Sequence, residues 1–199
     1  MSWLLTETRT WVSEHYGRHA NHLFKAEEWL RHIHHEATEA MLLATLTHDM
    51  ERAFPGPDSP KVDPSKGPAD PIYNTAHAER SARIVSSYLR TQETTPEHKM
   101  SEEFIEEVTS LIRAHEFGGW PEANWVQAAD SLSFLEVNVD YFIEQIGAPG
   151  SDWTPTYVHD KFVWMYSRIQ IPQAKALAAP LRERAIQKLQ NKLRMNGVT

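Results

Sequence analysis

The chain has 199 residues, 41 % hydrophobic and 24 % charged, with a formal net charge of −7. That length fits one domain able to bury a real core, and acidic residues spread along it argue against a nucleic-acid surface. Cysteine is absent, which excludes disulfides, thiolate catalysis and cysteine-ligated zinc, so any metal must be held by His, Asp or Glu. No stretch approaches about 18 apolar residues, and the N-terminus lacks a basic-then-apolar signal pattern. The expectation is a cytoplasmic protein with no membrane partner. Eleven histidines and seven tryptophans are the unusual counts.

In chain order, residues 3 to 15 suggest a short amphipathic helix carrying Trp3, Leu4, Leu5, Trp11 and Val12. Residues 19 to 34 read as a second helix, with Leu23, Ala26, Leu30 and Ile33 on one stripe and His22 beside it. His32, His34 and His35 look like its solvated end. The third helix, residues 36 to 53, contains Met41-Leu42-Leu43-Ala44-Thr45-Leu46-Thr47-His48-Asp49, an apolar run ending in an adjacent imidazole and carboxylate. Burying such a pair is costly unless something partners it. A divalent metal would satisfy both groups at once, whereas a solvated helix end would need no metal. The same dipeptide recurs at His159-Asp160, so it is not diagnostic alone.

Residues 54 to 71 hold six prolines and two glycines with no periodicity, which predicts a long irregular loop, either a cover or binding loop for a site or a disordered segment. Helix resumes at about Thr75, opened by His77 and striped by Ala78, Ala82, Val85 and Leu89. After a polar break at 91 to 99, Ser101-Glu102-Glu103-Phe104 caps a helix whose acidic first turn suits the helix dipole. His115 closes that helix ahead of Phe117-Gly118-Gly119. Pro121 starts another, Glu122 to about Ile146, with Asp130 set among Ala128, Ala129 and Leu132. A loop from Gly147 to Trp153 precedes two last helices, Pro155 to Arg168 and Pro172 to Leu193. No alternating strand pattern occurs, so the fold class is all-α, a single-domain bundle of about seven to eight helices over residues 1–199. Its core spans about 19–146, with helices of 155–195 packed on it.

Five helices thus each deliver a metal-capable group: His22, His48 with Asp49, His77, His115 and Asp130. Each has a plainer reading. His77 could be an exposed helix start, His115 a dipole cap, and Asp130 a buried carboxylate bonded to Ser131 or Ser133. Their recurrence once per helix is what favours a joint metal site.

The order His, His-Asp, Asp on successive helices resembles the HD superfamily of metal-dependent phosphohydrolases. His22-Leu23-Phe24-Lys25-Ala26 is similar to its first motif, and Leu43-Ala44-Thr45-Leu46-Thr47-His48-Asp49 to its central one. His77-Ala78-Glu79-Arg80-Ser81-Ala82 resembles a "His-x-x-x-Ser-Ala" segment of many members. Leu111-Ile112-Arg113-Ala114-His115-Glu116-Phe117, followed by Gln127-Ala128-Ala129-Asp130-Ser131-Leu132, resembles the last two motifs, most closely in small bacterial nucleotide pyrophosphohydrolase-like proteins. The likeness covers about residues 19 to 195, weakly beyond Gln173. It implies a primary metal site of His22, His48, Asp49 and Asp130. His77 and His115 match the extra ligands of two-metal members, in which Asp49 would bridge and is the catalytic candidate. The implied cofactor is a divalent metal (Mn, Mg, Co, Ni or Fe), one or two per chain. The implied partner is a small phosphorylated substrate, a nucleotide by preference, held by Arg52 and Lys161. Either cation could instead be a surface charge, Lys161 the more so. The sequence leaves a homodimer open.

One departure matters. Some HD phosphohydrolases place an acid three residues after the Asp to orient water, and here that residue is Arg52, with Glu51 expected to point elsewhere. A basic residue there also occurs in HD-fold di-iron oxygenases acting on oxyanion-bearing molecules, which is the main alternative. A non-catalytic HD-fold metal- or nucleotide-binding module is the third. Trp120, Trp125 and Trp153 suit either a stacking pocket or core filling.

Overall fold

In the computed structural model the described residues are 2–92 and 100–195, and among them every regular element is helical. The helices are α1 (Trp3–Tyr16), α2 (Ala20–Ile33), α3 (Glu39–Thr47), α4 (Pro71–Thr91), α5 (Glu102–Ala114), α6 (Pro121–Ser133), α7 (Val139–Glu144), α8 (Pro155–Ser167) and α9 (Pro172–Met195). Most of the expected break at 91 to 99 lies outside the described residues. None of the described helices is long and apolar enough to cross a membrane.

The centre of the bundle is α3. Thr38 caps it by accepting from the Met41 N–H, and every residue from Ala40 to Thr47 is buried. A helix apolar on all faces must be surrounded, and α3 touches α1, α2, α5 and α6. Thr45 and Thr47 remain inside because each hydroxyl donates to the carbonyl one turn back, Met41 at 2.8 Å and Leu43 at 2.7 Å. A second apolar cluster lies between α6, α8 and α9, centred on Leu132, Phe162 and Ala178. Trp29 and Ile33 of α2 pack against both clusters.

Three boundaries differ from the sequence reading, and two of the differences shape the site. The third helix stops at Thr47 rather than 53. After Asp49 the chain tightens into a 3-10 turn, Met50–Ala53, because the Glu51 N–H and carboxylate are captured by Ser81 and His77 of α4. The helix expected over 122–146 is interrupted by a π-turn at Phe134–Asn138, a device common beside functional sites. Finally, α4 begins at Pro71 rather than Thr75: Asp70 accepts from the Ile72 N–H, and a proline at the first helical position loses no hydrogen bond. His77 therefore lies in the second turn of α4, with its side chain fully buried.

Because Leu43 is wholly enclosed, Leu43→Ala should destabilise the protein by about 2–5 kcal/mol. A urea unfolding curve, comparing midpoints at unchanged slope, measures it.

Candidate metal centre

The six sequence-identified residues converge at one point. His22 comes from the first turn of α2, His48 and Asp49 from the end of α3, His77 from α4, His115 from the C-cap of α5 and Asp130 from α6. None is more than 5 % exposed. Asp130 Oδ1 lies 3.1 Å from His22 Nε2 and 3.3 Å from His48 Nε2, while Asp49 Oδ1 lies 2.9 Å from His77 Nε2 and 3.9 Å from His48 Nε2. Asp49 Oδ2 faces the other way, 4.0 Å from His22 Nε2. Adjacent ligands on a cation with bonds of about 2.1 Å stand roughly 3.0–3.4 Å apart, so the shorter spacings have the scale of a coordination shell.

All four histidines are held by the opposite ring nitrogen. His48 Nδ1 and His115 Nδ1 donate to the Thr45 and Ile112 carbonyls at 2.8 and 2.7 Å, three residues back in each case. His77 Nδ1 donates to Glu51 Oε1 at 3.0 Å. Ser133 Oγ lies 2.8 Å from His22 Nδ1 and donates its own proton to the His22 carbonyl at 2.7 Å. The serine can therefore only accept from the ring, which places the His22 proton on Nδ1. The result is four imidazoles with Nδ1–H pointing outward and Nε2 inward, the arrangement in which outer hydrogen bonds orient metal-binding histidines.

The inward atoms are poorly served by the protein itself. His48 Nε2 and His77 Nε2 are buried with no hydrogen-bond partner. The carboxylate oxygens beside them are near but not aligned for a hydrogen bond. A buried unsatisfied nitrogen costs about 1–3 kcal/mol, and a cation among the carboxylates would remove that penalty. Three groups have the required spacing: His22, His48 and Asp130; His48, Asp49 and His115; and His77, His115 and Glu116. These buried groups could hold a metal ion.

Two arginines neutralise the carboxylates from outside. Arg52 pairs with Asp49, and Arg168 pairs with both Asp130 and Glu116. Burial alone would raise the Asp49 carboxyl, but Arg52 and His48 hold it well below the usual carboxylate range. Asp130 is held down likewise against its burial, by Arg168 and His48. His48 is pressed down by burial, yet Asp130 and Asp49 lift it to about 9. Burial dominates at His115 and lowers it despite Glu116.

The two expected anion-binding residues stand at the mouth of the cluster. Arg52 retains 38 % of its side-chain surface. With Lys161 it lines both the small pocket over Asp49 and Asp130 and a neighbouring cavity of about 320 Å³. Lys161 lies over the rings of Trp164 and Phe134 at 4.4 and 5.5 Å, and burial lowers its ammonium to about 8 against the pull of Glu116. The 320 Å³ cavity is walled by Tyr73, Tyr141, Phe142, Trp153 and Tyr157 and roofed by Pro55, Ser59, Pro60 and Val62 of the proline-rich loop. Trp153 thus faces the cavity, whereas Trp125 stacks on His34 at 4.6 Å, so His34 is not simply solvated. His159 and Asp160 are exposed and bond only to each other.

Sequence reasoning missed Glu51, Glu116, Ser133 and Arg168. Glu51 points at His77 rather than away from the site, because the 3-10 turn rotates it there; its carboxylate and carbonyl are also contacted by Arg80. Asp130 pairs with Arg168 rather than with Ser131 or Ser133. Ser131 instead accepts from Arg168 Nε at 2.9 Å, and Ser133 serves His22. Adjacency to His115, and an arginine closing an apolar helix, were the available signals for Glu116 and Arg168.

Fold and site together define an all-α protein with a buried histidine–carboxylate cluster able to hold a divalent cation. No protein-family model, no curated protein and no solved structure matches the chain.

Removing Arg168 would leave two buried carboxylates uncompensated, so Arg168→Met should cost about 3–5 kcal/mol in the metal-free protein. Equilibrium urea unfolding in the presence of chelator reads this directly, and an unchanged midpoint would contradict the electrostatic account.

Proposed function

We propose that the protein is a metal-dependent phosphohydrolase of the HD type, acting on a small phosphorylated substrate with a planar, nucleotide-like body. The observation that carries this reading is the convergence of buried imidazoles on Asp49 and Asp130, with Arg52 and Lys161 lining both the small pocket over these carboxylates and the adjoining aromatic cavity. The resemblance of the His22, His48-Asp49, His77, His115 and Asp130 motifs to the HD superfamily supports it independently.

His22, His48, Asp49 and Asp130 would hold the first cation, with His77 and His115 available to a second. A divalent cation in such a site supplies Lewis acidity and a nucleophile at neutral pH. The remaining work falls to this chain's own groups. Arg52 and Lys161 bind the phosphoryl oxygens and offset the negative charge of the carboxylates. Tyr73, Phe142, Trp153 and Tyr157 present ring faces to the substrate body. The loop residues Pro55 to Val62 cover it and limit access of bulk water. The Nδ1 bonds keep the imidazoles from rotating, so the ligand set is organised before substrate arrives.

A second reading, an HD-fold di-iron oxygenase on an oxyanion-bearing molecule, is favoured by one feature. Arg52 stands where an acid could orient water, and it is committed to Asp49. The two readings separate on metal and product. Protein purified without chelator should contain Mn, Co, Ni, Mg or Fe and release phosphate from members of a nucleotide panel. Two irons per chain with an oxygen-dependent product would replace the hydrolase by the oxygenase. Metal content should fall well below the wild-type level in His48→Ala and Asp49→Ala and stay at that level in His159→Ala. Full occupancy in Asp49→Ala would overturn the assignment.

A further inference from the structure

Arg168 treats two carboxylates alike. Its guanidinium bonds Oδ2 of Asp130 and Oε2 of Glu116, and two further donors go to Ser131 Oγ and the Glu116 carbonyl. In each carboxylate one oxygen is thereby fixed outward and the other left facing a histidine. Asp130 Oδ1 faces His22 and His48, and Glu116 Oε1 faces His115 Nε2 at 3.6 Å. Glu116 is only 4 % exposed, and it lines the small pocket over the cluster together with Asp49 and Asp130. The atom that Glu116 Oε1 approaches belongs to a histidine whose other nitrogen is already committed to the Ile112 carbonyl. His77 Nε2, the third member of the group, is buried and unpartnered.

We propose that Glu116 is a metal ligand, completing with His77 and His115 a second cation site beside the His22–His48–Asp130 site. Two oxygens and two triads then form a matched pair: one arginine orients one carboxylate for each cation. Asp49 lies between them, with Oδ1 towards His77 and Oδ2 towards His22. A site of two imidazoles and one carboxylate suits Mn, Fe, Co, Ni or Zn rather than Ca, which prefers an all-oxygen shell. This inference rests on the metal-site reading of the cluster, and it adds a ligand that the motif pattern does not supply.

The test is a titration of chelator-stripped protein with Co(II), followed by calorimetry and by the visible absorption of the bound ion. Wild-type protein should take up two equivalents. Glu116→Gln keeps the side-chain volume and an acceptor for Arg168 but removes the anionic ligand. It should bind the first equivalent with wild-type affinity and the second about 100-fold more weakly, or not at all. Glu116→Asp retains the charge beside Arg168 but withdraws the oxygen from His115, and it should show the same selective loss if the Gln variant does not fold. Wild-type affinity for both equivalents in a folded Glu116 variant would overturn the proposal. So would equal loss of both, which would make Glu116 a structural partner of Arg168. A wild-type protein that binds one equivalent removes the second site while sparing the first, and one that binds none removes the metal reading itself.

Discussion

The structure depends on placing seven ionisable side chains at one buried point without losing the fold. An isolated buried carboxylate or imidazolium is expensive, and this chain places three carboxylates and four imidazoles within a few ångströms. It tolerates them by giving each group an outward commitment. Backbone carbonyls take the Nδ1 protons of His48 and His115, a serine and a glutamate take those of His22 and His77, and two arginines take one oxygen from each carboxylate. What remains points inward and is incompletely paired, as the orphaned His48 and His77 nitrogens show.

That requirement accounts for several local features. The chain after α3 turns sharply at Asp49 so that Glu51 can reach His77 and its backbone N–H can meet Ser81. The Arg80 that contacts Glu51 also holds the Phe54 carbonyl and Asp58. The inward-facing histidine of α4, His77, is therefore linked by two side chains to the proline-rich loop roofing the aromatic cavity. On the opposite side Ser133 fixes His22 immediately before the π-turn, where α6 gives way to the segment that brings Phe134 over the cluster. Site geometry and the two helix irregularities belong together.

Much of this was legible in the sequence. The all-α class followed from helical stripes in the apolar segments and the lack of an alternating strand pattern, and the six histidines and aspartates stood out because each lay at an apolar helix end or stripe. Loop 54–71 read as irregular because of its prolines, with a cover as one of two readings, and part of it does wall the cavity. What escaped was the outer layer. A glutamate after a histidine, a glutamate before an arginine, and an arginine at a helix end all resemble surface charge in one dimension. Only packing makes them inward. Glu51 escaped for a sharper reason: a continuous helix through residue 53 would have turned it away, and the 3-10 turn that redirects it is stabilised by contacts with α4 some thirty residues later.

The central claim is that the cluster is a cation site whose ligands are pre-oriented by their outer hydrogen bonds. The most direct measurement is an anomalous difference map from crystals grown with Mn(II) and recorded above the manganese edge. The predicted result is density enclosed by His22, His48, Asp49 and Asp130, with the imidazoles keeping the Nδ1 contacts described above. A map with no peak among these residues at saturating Mn(II), or with manganese only at exposed groups such as His159 and Asp160, would contradict it.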